Sequence, residues 1–284
     1  MKVLTLVLGA SLAALPSMAD VVYSSMPSPI PGNVVSQCYE CAEVAEIGQG
    51  VQLAGDQPAT LGSATVLMSD WALKSNWQNY GTATGFNVPL TLNLYQVGAN
   101  NTVGSLITSD TINAFIQYRP EASAACAVTN PGDWLAADGN CYAGLAQTVT
   151  FDLNNVAVPG QFIWGLALNT TNWGYTPTGV PGPYDSLNVG LNSNPDGVSA
   201  YTPSVGSDLV PGSIYWNTLY APYYTDGGAG GTGTFRIDSN WAPYDPAITF
   251  SSSNPTPEPS FLLLVGAGFA GIFIVRYKFR RHAA

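Results

Sequence analysis

Residues 20–253 read as an all-β domain, an antiparallel β-sandwich of jelly-roll type. Three observations carry that reading. The chain holds 30 Gly and 21 Pro while only 9% of its residues are charged, a composition that disfavours long surface helices and suits many turns between short strands. Apolar and polar residues alternate with a period of two in several stretches. Candidate strands recur at intervals of about 10–20 residues with no helix-period repeat between them.

Met1 and Lys2 form a short basic region, residues 3–15 an apolar one, and small residues stand at positions −3 and −1 before Asp20. Residues 1–19 are therefore a secretory signal peptide cleaved after Ala19, and they stay out of the fold argument. In the stretch 88–94, Val88, Leu90, Leu92 and Leu94 alternate with Pro89, Thr91 and Asn93. Val149, Phe151 and Leu153 alternate with Thr150 and Asp152, and Leu187, Val189 and Leu191 with Asn188 and Gly190. Each of these predicts a strand with one dry and one wet face. Stretches 63–71 and 162–168 are apolar on both faces, as central strands are. Further strands are expected at 21–24, 50–54, 102–108, 214–220, 234–238 and 247–251. Pro89 places its strand at an edge or a bulge. Residues 37–47 carry approximate helical spacing, and a short helix or a disulfide-bridged loop fits them equally. Long segments rich in Gly, Pro, Asn and aromatic residues, 119–146, 169–185, 192–212 and 222–233, read as loops.

After residue 253 the composition turns to Ser, Pro and Thr, and residues 254–260 make a stiff spacer. Residues 261–275 (FLLLVGAGFAGIFIV) carry no charge and predict a transmembrane helix. At 1.5 Å per residue the run reaches about 22 Å against a hydrocarbon core of roughly 30 Å, so it borrows flanking residues or thins the bilayer. Four of the eight basic residues, Arg276, Lys278, Arg280 and Arg281, fall in the tail 276–284, which keeps that end cytoplasmic and the β domain outside.

Charge and chemistry narrow the function further. All 18 acidic residues but only Lys74, Arg119 and Arg236 of the basic ones lie in residues 20–259, a net charge of −15 that repels phosphate backbones and excludes nucleic acid as a partner. The one histidine, His282, is in the tail, which removes histidine-dependent triads, general bases and zinc sites from the exported domain. Lysine chemistry would rest on Lys74, with no activating neighbour in sequence. Carboxylate-pair polysaccharide hydrolysis or lysis survives as a remote alternative, drawing on Glu40, Glu43, Glu46, Asp70 and Asp245, although these acids read as solvated surface groups. No cofactor is expected. Calcium is suggested only weakly, by the group Asp238-Ser239-Asn240, with no EF-hand loop.

Four cysteines in an exported chain predict two structural disulfides, with three connectivities open. Cys126 and Cys141 bracket a loop, and Cys38 would then pair with Cys41; Cys38 to Cys41 has redox-motif spacing, but no βαβ pattern accompanies it. The aromatic residues between 173 and 224, foremost Trp173, Tyr175, Tyr184, Trp216 and Tyr223, are the candidate glycan-binding residues. Packing of the same rings into the sandwich is the competing use.

The triplet Pro257-Glu258-Pro259, the short Gly- and Ala-containing apolar run after it, and the basic cluster with Arg276, Arg280 and Arg281 together resemble the PEP-CTERM sorting signal of Gram-negative bacteria. The resemblance implies an inner-membrane anchor that an exosortase recognises and removes, leaving the domain at the cell surface or secreted. It also implies an association with exopolysaccharide and biofilm matrix. Together these features point to a non-enzymatic, exported protein with a structural or adhesive role in the matrix. A carbohydrate-binding module is the alternative.

Overall fold

The computed structural model describes residues 20–128, 130–222, 224 and 232–253. The expected signal peptide, spacer, apolar span and basic tail lie outside the described residues, as does Tyr223. Among the described residues no helix is long and apolar enough to cross a membrane.

In chain order the strands are β1 (Val21–Ser24), β2 (Ser36–Cys38), β3 (Glu46–Gln52), β4 (Ala59–Asp70), β5 (Gly85–Val97), β6 (Val103–Gln117), β7 (Trp134–Leu135), β8 (Cys141–Tyr142), β9 (Leu145–Val158), β10 (Gln161–Leu168), β11 (Leu187–Ser193), β12 (Ser207–Asp208), β13 (Ile214–Asn217), β14 (Phe235–Asp238), β15 (Tyr244–Pro246) and β16 (Ile248–Ser252). Apart from the β7–β8 ribbon they form two antiparallel sheets of seven strands. In the first, β4 pairs with β9 along one side and with β16 and then β11 along the other; β1 flanks β16, and β2 and β15 pair with β11. The second runs β14-β13-β3-β10-β5-β6, with β12 beside the far end of β3.

Eight strands carry the winding. The first sheet contains β2-β11-β4-β9 and the second β3-β10-β5-β6, and between successive members of the set the chain changes sheet at every step except the β5–β6 hairpin. That order is the winding of a jelly roll. The two sheets meet through interdigitating rings and branched side chains, with Phe162 of β10 edge-on to Phe250 of β16 at 5.1 Å. The alternation read at β5 and β9 holds: Phe86, Val88, Leu90, Leu92 and Leu94 are buried, as are Val149, Phe151 and Leu153, while Thr150 and Asp152 are exposed.

Two expectations change, at β11 and β6, and two are narrowed, at Pro89 and residues 37–47. Strand β11 has no wet face: Asn188 Nδ2 donates to Ser36 Oγ, Asn192 Nδ2 donates to the Ser25 carbonyl, and a Cβ at Gly190 would fall 2.6 Å from Leu67 Cγ. Pro89 is not at a bulge, and although β5 as a whole lies between β10 and β6, the strand is an edge at this position. Pairing with β10 stops at Leu90, so no ladder bond is demanded from position 89 on that side. The helical spacing of 37–47 gives one turn, Tyr39–Ala42, ended by Glu43 in the left-handed region (φ 58°), after which β3 begins. Strand β6 runs to Gln117, well past residue 108; its register shifts, opposite Tyr95, fall in the part that was expected, and the remainder alternates, with Ala114 and Ile116 buried and Asn113 and the apolar Phe115 exposed.

Candidate functional site

Among the described residues the candidate aromatic side chains do not form a platform. Trp216 is fully buried on β13, with its ring 5.2 Å from Trp241, and Tyr184 is buried with its ring 6.0 Å from Tyr80. Trp173 is half-buried, its carbonyl accepting from the Thr170 N–H and Oγ1. Tyr175 and Tyr220 do reach solvent, at 37% and 58%, but their planes cross at 89° and cannot share a flat sugar face. Trp216 and Tyr184 are spent on packing because the two sheets need bulky, flat side chains between and over them.

The acids also depart from expectation: Glu43, Glu46, Asp70 and Asp245 are buried rather than solvated. Glu46 opens β3, and since Ile47 and Val51 point into the core, it stands on the outer face of the second sheet. Gly165 on the neighbouring β10 makes room for it, for a Cβ there would lie 2.7 Å from Glu46 Cδ. Asn93 Nδ2 donates to Oε2 at 2.8 Å, Tyr95 OH lies 2.9 and 2.8 Å from the two oxygens, and Tyr175 OH lies 2.7 and 2.9 Å from them. Burial raises the Glu46 carboxyl above its usual range, and the bonds from Tyr175, Asn93, Tyr95 and Asn217 oppose that. The phenols of Tyr95 and Tyr175 are raised in turn, chiefly by burial and then by the Glu46 charge. The arrangement clamps the connection between β10 and β11 onto the sheet. Glu40 adds bonds from Thr170 and Asn172, and Asp185 accepts from the Thr171 N–H and hydroxyl at 2.8 and 2.6 Å.

A second acidic group lies between the sheets. Strand β12 pairs Asp208 with core-facing Val51, so its side chain points inward, where Oδ1 accepts from Tyr23 OH of β1 at 2.7 Å. Asp245 of β15, 1% exposed, faces Asp208 from the other sheet, and the Gln49 side chain of β3 borders the pair. Neither oxygen of Asp245 and neither terminal atom of Gln49 completes a hydrogen bond. Burial, and then the facing Asp208, pushes the Asp245 carboxyl well above the ordinary range. Of the five acids offered for a carboxylate pair, Asp245 alone faces another acid here, and that partner, Asp208, was not among them; both are buried inside the sandwich rather than set across a groove.

The described basic residues sit elsewhere. Lys74 Nζ donates to the carbonyls of Trp77, Gln78 and Tyr80, Arg119 to those of Trp71 and Gly132, and Arg236 lies 3.4 Å from Asp238. Asp238, the residue that suggested calcium, also accepts from Tyr224 OH and Trp241 Nε1. Among the described residues no group of three or more His, Cys, Asp or Glu side chains is placed to hold a metal ion. The cysteines pair as Cys38–Cys41 and Cys126–Cys141, the second closing the β6–β9 connection.

The last element of the sandwich, β16, ends at Ser252, and the Ser253 N–H donates to the Thr60 carbonyl. Two residues further on, a distinct segment begins. Residues 255–281 match the PEP-CTERM protein-sorting motif. The sorting motif contains Pro257, Glu258, Pro259, Arg276, Arg280 and Arg281, all outside the described residues. It implies an exported, exosortase-targeted chain that is membrane-anchored and then processed. No curated protein and no solved structure matches the chain.

Proposed function

We propose that this chain is a non-catalytic structural component of a Gram-negative extracellular matrix, delivered across the inner membrane and released from its anchor by an exosortase. The observation that carries the reading is the sorting motif at residues 255–281, which begins just after the last paired strand. A cut within the Pro257-Glu258-Pro259 segment would remove no strand of the sandwich, because β16 is already zipped between β1 and β4. Support for a structural role comes from the build of the domain: rings packed inside, two cross-links, and loops tied down by buried carboxylates.

Mass spectrometry of the protein recovered from its producing cells tests the delivery step. A C-terminus near Pro259 is the expected result, and an intact basic tail on the surface protein would overturn it. Fractionation tests the role, since a matrix component sediments with washed exopolysaccharide, whereas full recovery in the soluble medium would remove it.

A further inference from the structure

We infer that Asp208, Asp245 and Gln49 hold a calcium-class divalent cation between the two sheets. Two carboxylates face one another in a water-poor interior, and no Lys, Arg or His among the described residues is placed to neutralise them. Ionised together they carry two negative charges, which one divalent ion cancels.

The unmet hydrogen-bonding capacity points the same way. Gln49 is fully buried and close enough to Asp208 to favour its charged form, yet neither its amide nor either Asp245 oxygen reaches full hydrogen-bond geometry. A buried amide and a buried carboxylate each cost about 1–3 kcal/mol when left unsatisfied, and coordination of one ion would recover that cost for both. Tyr23 takes one oxygen of Asp208, and an ion would draw on its other oxygen, on the two of Asp245, which have no partner, and on the amide oxygen of Gln49 after a turn of that side chain. All of these donors are oxygen, with no imidazole or thiolate, the set that hard cations select over zinc or copper. The flexible coordination of calcium suits carboxylates and an amide drawn from three different strands, where magnesium demands near-ideal octahedral geometry. Since Asp245 belongs to the first sheet and Asp208 and Gln49 to the second, the ion would latch the sheets together.

The test uses the full chain, stripped with EGTA and titrated with calcium chloride at constant ionic strength. Calorimetry should show saturable uptake, and at a hundredfold excess over Kd the Tm should rise by roughly 5–10 °C. Asp245→Asn and Asp208→Asn should abolish the rise, Asp238→Asn should keep it, and Gln49→Glu, which adds a third carboxylate, should tighten binding. No uptake by the wild-type chain, or uptake unchanged in Asp245→Asn, overturns the proposal and assigns the pair a shared proton instead. Should Asp245→Asn fail to fold, Gln49→Glu decides: tighter binding supports the site, and unchanged binding refutes it.

Discussion

Glu46 and Asp245 are equally buried acids that the same fold treats in opposite ways. Glu46 lies on the outer face of one sheet with Asn93, Tyr95 and Tyr175 turned toward it, so every lone pair of consequence is met. Asp245 lies between the sheets against another acid and an amide, with nothing donating to it. The difference teaches that burial alone does not give a carboxylate its role; the donors around it do.

The largest effect expected separates both from a third buried acid, Asp70, whose carboxyl burial pushes up to about 8 against the N–H groups of Ala72 and Trp71 and the Arg119 charge. The native state holds that proton more tightly than the unfolded chain does, so its contribution is complete below about pH 4 and is lost as pH rises toward 8. Glu46, raised in the same direction, adds to the slope. Denaturant unfolding should show stability falling between pH 5 and 9, by on the order of 5 kcal/mol, and Asp70→Asn should flatten most of that fall. A flat profile in the wild-type chain would break the comparison.

Next in size, Glu46→Ala should cost about 3 kcal/mol in urea unfolding and expose the 169–182 connection to protease, because three donors lose their acceptor at once. The disulfides follow. Replacing Cys126 and Cys141 by Ser removes a cross-link with a separation of 15 and should cost about 3 kcal/mol, against about 2 kcal/mol for Cys38 and Cys41, three residues apart. Thermal scans of the two double variants check that order. The smallest effects come from two neighbouring rings: Tyr175→Phe should lose about 1.5 kcal/mol with its bonds to Glu46, while Tyr220→Ala, largely exposed, should stay within about 0.5 kcal/mol. Equal losses at the two positions would show that the Glu46 clamp contributes nothing.

Much of this protein follows from its residues read in order. The period of two at residues 88–94 and 149–153 marks which side chains enter the core, because a strand presents alternate residues to opposite faces wherever it lies. The sorting motif is equally local, a contiguous segment defined by its own order of residue types. The even cysteine count in an exported chain led to two cross-links, and the bracketed loop to the pairing found. What escaped were the partners of the acids. Tyr23 and Asp208 are 185 positions apart, Glu46 and Tyr175 are 129 apart, and Asp208 lies in a stretch with no period to betray its direction. Whether an acid is wet, clamped or facing another acid depends on which strands the winding brings alongside it. A one-dimensional pattern reports the face a residue occupies and not the neighbour it meets there, so only the folded pair of sheets could decide that.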